Sequence, residues 1–156
     1  MKIATYDIET SALSANFGIV LCAVVKPWQG ECKVFRIDEL PGKRRSDDTK
    51  LVAAIIEELN QYMILVAHNG VRFDRVFLNT RATKNGTTLL NPRGNMIDPV
   101  ILARKYLRMS YNGLDTIAQY FQTTHQKTPV MWHLWIQAVI DRDEAALQEI
   151  INHCME

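Results

Sequence analysis

The chain has 156 residues, of which 47% are hydrophobic and 22% are charged, and its formal net charge is +1. This length fits one domain, and the composition excludes a disordered chain and a globally basic nucleic-acid binder. The three cysteines, Cys22, Cys32 and Cys154, have no C-x-x-C spacing, which favours buried thiols in a reducing compartment over disulfides or a zinc site. Because there is no membrane-length apolar run and no room for a signal peptide before the first strand, we expect an intracellular, cytoplasmic protein.

The first third of the sequence predicts an antiparallel meander of three strands. The β-rich or alternating segments are residues 2–8, 17–26 and 31–37, and the turn PWQG separates the last two. A polar loop follows, in which Asp47 or Asp48 is suited to cap a helix over residues 49–62.

The remaining sequence alternates helices with two further short strands. The apolar run at 63–67 predicts a buried parallel strand, and a second strand is expected at 95–97. Asp98 and Pro99 have the residue types preferred at the N-cap and first position of a helix. Helices are predicted over residues 71–84, 100–109, 114–121, 130–139 and 142–156. This order predicts an α/β fold with a mixed five-stranded sheet, a three-strand meander plus parallel strands, flanked by helices.

Two acidic residues lie in the first strand region. Asp7 and Glu9 are two residues apart, so they share one face of the strand. At a separation of about 6–7 Å their charges would repel by about 2–3 kcal/mol, and a divalent cation would offset this. About two acid pairs at this spacing are expected by chance. The other one, Asp141 with Asp143, is explained by the start of the last helix, where acids are favourable.

A second acidic position follows the buried strand at 63–67. Asp74 lies in the stretch AHNGVRFDRVFL, about one helical turn beyond a turn at residues 68–70. Two interpretations stay open from the residues alone: a solvated acid in the first turn of a helix, or a ligand that joins Asp7 and Glu9. Its neighbours Arg72 and Arg75 would either hold phosphates or screen the acid.

These stretches together resemble the first two motifs of the DEDD superfamily of 3′–5′ exonucleases, which includes proofreading domains of DNA polymerases. The motif D-x-E-T matches at Asp7, Glu9 and Thr10, and the motif H-N-x-x-x-F-D matches at His68, Asn69, Phe73 and Asp74. The segment NGLDTIAQYF and Lys127 also resemble the stretch before the third motif. The resemblance implies a ribonuclease H-like fold, in agreement with the predicted order of elements.

The third motif matches only in part. The family has an Asp on its last helix, preceded by a Tyr four residues earlier or a His five residues earlier. Here His153 is the candidate, and no Asp follows it in this sequence. His153 is therefore either a catalytic residue or a partly exposed helix histidine. We expect residues 1–156 to be one exonuclease-like domain that is truncated just before its last catalytic Asp and impaired for that reason.

The resemblance implies hydrolysis of phosphodiester bonds at 3′ ends with two Mg²⁺ or Mn²⁺ ions. Asp7 would bridge both ions, Glu9 would bind the first and Asp74 the second, while His153 would orient or deprotonate the attacking water. The residues implied to contact the substrate are Thr10, Leu13, Asn69, Arg72, Phe73 and Lys127. More simply, Asn69 would cap its helix and Phe73 would lie in the core.

The expected ligand is a single-stranded or frayed 3′ end, with DNA favoured over RNA, and no membrane is involved. A polymerase or another replication protein is a further candidate partner. Two alternatives stay open: a catalytically incomplete module that binds nucleic acid or a protein, and an RNase or endonuclease on the same fold.

Overall fold

The structure is a computed structural model of the chain that describes residues 2–43, 47–90, 95–124, 131, 133–141 and 143–155. The predicted substrate residue Lys127 lies outside the described residues. In the part of the chain that is described, no helix combines the length and the apolar character that crossing a membrane requires.

Five strands form a mixed sheet in the order β3-β2-β1-β4-β5. Their bounds are β1 Ile3–Thr10, β2 Val20–Pro27, β3 Lys33–Arg36, β4 Ile64–Val66 and β5 Asn95–Ile97. β2 pairs antiparallel with both β1 and β3, whereas β4 pairs parallel with both β1 and β5. The predicted meander with two additional parallel strands is confirmed.

Helices cover this sheet, and most begin within a few residues of the predicted positions. Their bounds are α1 Thr49–Leu59, α2 Asp74–Asn85, α3 Pro99–Tyr106, α4 Leu114–Tyr120, α5 His133–Ile136 and α6 Glu144–Met155, with a π-helical segment, Gln137–Asp141, after α5. Asp98 accepts a hydrogen bond from the backbone N–H of Val100, which confirms it as the N-cap of α3.

α2 begins three residues later than predicted. Asn69 has a left-handed backbone with φ of 61°, and its carbonyl accepts from the N–H groups of Arg72 and Phe73. The N–H of Arg75 bonds to the carbonyl of Gly70, five residues earlier instead of four, so the regular helical ladder is interrupted and the helix begins only at Asp74, after the cap residue Phe73. The idea that Asn69 caps the helix is therefore wrong.

The two faces of the sheet support separate hydrophobic clusters. Tyr6 and Ile8 of β1 are buried on the face that packs against α1 and α2. On the opposite face, Cys22 and Val24 of β2 pack against Ile151 and the other apolar residues of α6. The sheet is thus a layer between α1–α2 on one side and α6 on the other.

A buried ion pair joins the starts of α1 and β2 to the middle of α2. The side chains of Asp48 and Arg81 are 0% and 3% exposed, and their closest charged atoms, Oδ1 and Nη2, are 2.8 Å apart. Asp48 also accepts from the N–H of Val20, and Arg81 donates to the carbonyl of Ala15. Asp47, rather than Asp48, accepts from the backbone N–H of Thr49 at the start of α1. The pair therefore fixes the loop between β1 and β2 against α2.

We predict that Arg81→Ala lowers the free energy of unfolding by about 3–5 kcal/mol, because it leaves the Asp48 carboxylate buried and uncompensated. Urea denaturation measures this change. Lys84→Ala, an exposed cation on the same helix, is the control and should cost under about 1 kcal/mol. Equal, small losses for both variants would contradict the role given to the pair.

Candidate active site

Asp7 and Glu9 point from β1 towards the side of the sheet that α6 covers. In the β1–β2 register Asp7 lies opposite Val24 and Glu9 opposite Cys22, and opposed residues of an antiparallel pair share a face. Val24 and Cys22 both pack against α6. A register shift between Glu9 and Thr10 ends this regular pairing, a type of irregularity that is common beside active sites. Both acids are half-buried.

Asp74 approaches the same strand along its edge, on the side where β4 pairs with β1. β4 pairs with β1 only as far as Thr5, so the edge of β1 beyond that residue has no neighbouring strand. There the N–H of Ile8, the residue between the two acids, donates to Oδ1 of Asp74 at 3.2 Å. The early end of β4 therefore brings the first residue of α2 beside the Asp7–Glu9 pair.

The Asp74 carboxyl is strongly perturbed by these surroundings. It is 2% exposed, and burial, followed by the negative charge of Asp7 and a smaller contribution from Glu9, raises its pKa to about 7. None of the ion pairs among the described residues includes Asp74. Burial and then the charge of Asp74 also raise the pKa of Tyr6, on the neighbouring position of β1, well above its usual range. The site thus concentrates negative charge in a poorly solvated place.

The turn that leads to Asp74 is held by Asp98. The carboxylate of Asp98 accepts from the N–H groups of Asn69 at 2.9 Å and Val71 at 3.2 Å, in addition to capping α3. Gly70 lies so close to the end of β4 that a Cβ there would collide with the side chain of Ala67. Asp98 therefore fixes the turn that precedes Asp74. Its role is structural, as expected from the sequence.

The last turn of α6 packs against β1 beside the acids. The thiol of Cys154 donates to the carbonyl oxygen of Asp7 at 3.5 Å, and its hydrogen bond with Cys22, followed by burial, raises its pKa. His153, the preceding residue, is 8% exposed. The alternative that His153 is a partly exposed helix histidine is therefore wrong. The thiol contact keeps this turn, and with it His153, next to the strand that bears Asp7.

The loop after β1 presents two large apolar side chains to solvent. Leu13 and Phe17 are 86% and 85% exposed, although the loop itself is ordered by hydrogen bonds such as Thr10 Oγ1 to Ala12 O at 2.9 Å. Exposed apolar side chains on a fixed loop are typical of a binding surface. Phe17 was not predicted as a contact residue, because the sequence analysis placed it at the start of the second strand, which begins only at Val20.

The other predicted substrate residues lie in different environments. Arg72 and Asn69 are exposed on the turn before α2. Phe73 is half-buried against the core and its ring centroid is 5.7 Å from that of Phe77. The contact roles given to these residues and to Thr10 stay predictions.

The acids suit a hard divalent cation by their donor chemistry. Among the residues that can be described, no group of three or more His, Cys, Asp or Glu side chains is arranged to hold a metal ion. Yet carboxylate oxygens are the ligands that Mg²⁺ and Mn²⁺ prefer. A cation beside Asp74 would also offset the burial and the neighbouring negative charges that now favour its protonated form.

Comparisons with known proteins agree with the geometry. The RNase_H_2 family model of the RNase H superfamily matches residues 4–156, whereas no curated protein matches the chain. Among solved structures, the family B DNA polymerase from the hyperthermophilic archaeon Pyrobaculum calidifontis superposes with a TM-score of 0.78 over 99% of this chain. Identity is 17%, and the match covers only 22% of the polymerase chain, so this likeness shows the fold alone.

We predict that Asp74→Asn stabilises the metal-free protein in a pH-dependent way. An unfolded Asp loses its proton near pH 4, whereas the folded Asp74 retains it until about pH 7. Wild-type stability therefore falls, relative to the variant, as the pH rises from about 4 to 7, by up to about 4 kcal/mol, and then levels off. Asn keeps an oxygen that can accept from Ile8. Thermal unfolding between these pH values with a chelator measures the difference, and a difference independent of pH would contradict the raised pKa.

Proposed function

The chain belongs to the RNase H superfamily, and from this premise we propose that it is a divalent-cation-dependent 3′–5′ exonuclease. Its substrate would be a single-stranded or frayed 3′ end, with DNA favoured over RNA. The observation that supports this most directly is the hydrogen bond of the buried Asp74 to the backbone between Asp7 and Glu9. It brings together acids that are 67 and 65 positions apart in the sequence.

In this proposal Asp7, Glu9 and Asp74 hold Mg²⁺ or Mn²⁺, with two ions as the number that the family resemblance implies. When bound, these ions supply an activated water at neutral pH and stabilise charge on the leaving oxygen. The raised pKa of Asp74 means that a proton competes with the cation for this carboxylate. Cation affinity should therefore increase as the pH rises towards about 7.

The proposed role of His153 is to orient the attacking water and accept its proton. Water attack on phosphorus would form one P–O bond and break the bond to the 3′ oxygen, which leaves with a proton. The products are a nucleoside 5′-monophosphate and a strand shorter by one nucleotide. The Cys154 thiol on the Asp7 carbonyl supports this role, because it holds the turn that contains His153 against β1.

Exposed apolar side chains favour action at strand ends. Leu13 and Phe17 lie on the loop that directly follows Glu9 and Thr10. Unpaired terminal bases are available for contact with such side chains, whereas the bases of a duplex are stacked on one another. The loop therefore suits a substrate whose 3′ end is single-stranded.

A second candidate is a nucleic-acid-binding module without hydrolytic activity. The third motif of the family resemblance is matched only in part, at His153, and this partial match favours the second candidate. Binding of single strands without cation-dependent hydrolysis would identify this alternative.

We predict that the protein shortens 5′-labelled single-stranded DNA in the presence of Mn²⁺ and that Asp7→Asn reduces the rate by about 100-fold or more. Denaturing gels with labelled DNA and RNA measure the rate. Glu57→Gln, which removes an exposed acid on α1, is the control and should retain the wild-type rate. Full activity in Asp7→Asn would contradict the assignment of the acids.

The same gels distinguish an exonuclease from an endonuclease. An exonuclease produces a ladder of products that shorten by one nucleotide at a time from the 3′ end. Because attack begins at that end, blocking the 3′ hydroxyl should suppress the ladder. Internal fragments from a circular single strand would instead show an endonuclease.

A further inference from the structure

α3, α4 and the segment between them expose aromatic side chains that neither hydrophobic cluster includes. Of the eight residues of α3 only Val100 and Ala103 are buried. Tyr106, Tyr111 and Tyr120 are 68%, 66% and 70% exposed. Three large exposed rings within one short stretch of the chain are more typical of a binding surface than of an inert one.

Basic side chains accompany these rings. Residues 99–113 include three basic residues, Arg104, Lys105 and Arg108, all exposed, and no acidic residue. With Asp115 as the one acid up to residue 124, this region has a net charge of +2, whereas the whole chain has +1. We call Arg104, Lys105, Tyr106, Arg108, Tyr111 and Tyr120 the α3–α4 surface.

Local contacts order several of the rings. The ammonium nitrogen of Lys105 lies 4.9 Å from the ring centroid of Tyr106, a cation–π contact. The ring of Tyr111 rests so close to Gly113 that a Cβ at that position would collide with it. Tyr120 and Phe121 form an edge-to-face pair with centroids 5.3 Å apart. Rings held in this way lose little conformational freedom on binding a flat ligand.

This surface begins at the edge of the sheet where the acids lie. β4 and β5 are parallel and in register, with Val66 opposite Ile97, so α3 starts beside the turn that leads to Asp74, and Asp98 connects the two. β5 is two strands from β1, or about 10 Å, and α3 extends over about 12 Å. A strand with its 3′ end at the acids could therefore continue onto this surface.

We infer that the α3–α4 surface binds single-stranded nucleic acid on the 5′ side of the nucleotides at the acidic site. The tyrosine rings stack on bases, and the basic side chains contact phosphates. Rings combined with cations are typical of single-strand binding, and the excess of positive charge in this region complements a phosphate backbone. The inference rests on the proposed function, which places the 3′ end at the acids.

A binding experiment without divalent cations tests this separately from hydrolysis. The probe is a fluorescent single-stranded DNA of about 12 nucleotides, and anisotropy gives its affinity at several salt concentrations. The variants are Tyr106→Ala and Arg108→Ala. Their controls are Trp28→Ala and Lys84→Ala. The Trp28 ring is 80% exposed, and the backbone N–H of this residue donates to the carbonyl oxygen of Ile3 at the opposite end of β1. Lys84 is an exposed cation on α2.

Tyr106→Ala should weaken binding about 5-fold or more, because one stacking contact is lost. Arg108→Ala should lower the slope of log affinity against log salt by about 0.7, and both controls should bind as the wild type does. Wild-type affinity and slope in both surface variants would overturn the inference and direct attention to a protein partner for this face. Failure of the proposed function would appear differently, as binding without Mn²⁺-dependent hydrolysis in the wild-type protein.

Discussion

The hydrogen bond from the Ile8 N–H to the buried Asp74 carboxylate is the interaction on which the candidate site depends. It exists because β4 ends early and leaves the edge of β1 open beyond Thr5. A longer β4 would have used this N–H in a backbone ladder and displaced α2 from the acids. Sheet topology, rather than local preference, therefore brings the start of α2 to the first strand.

This arrangement has a cost in stability. The Asp74 carboxyl group is 2% exposed and close to two other acids, and it is held in its protonated, neutral form up to about pH 7. Such a group is unfavourable in a metal-free protein and becomes favourable when a cation is bound. Strongly perturbed buried acids that gather in one place are more typical of functional sites than of structural ones. The acids that have structural roles, Asp48 and Asp98, are instead satisfied by an arginine or by backbone N–H groups.

Most of the fold could be predicted from the sequence, because its signals are local. Alternation in β1 and β3, the apolar run of β4 and the Asp98-Pro99 helix start depend on near neighbours in the chain. The fold class and the RNase H relationship were confirmed. The start of α2 was misplaced because the left-handed Asn69 turn depends on hydrogen bonds from a segment nearly thirty residues away.

The composition of the site was only partly predictable. Spacing and motifs predicted Asp7, Glu9 and Asp74, but the burial of Asp74 and the Asp48–Arg81 pair depend on long-range packing that no local pattern reveals. The contact of Cys154 with β1, and the exposure of Phe17 and Tyr106, also follow from tertiary structure. Lys127 lies outside the described residues and stays a prediction.

Anomalous diffraction from a crystal of this protein soaked in Mn²⁺ shows directly whether the acids hold a cation. We expect a peak within coordination distance of carboxylate oxygens of both Asp7 and Asp74, on the side of β1 that α6 covers. A well-ordered crystal in which Mn²⁺ binds only elsewhere, or in which these two carboxylates face away from each other, would contradict this expectation.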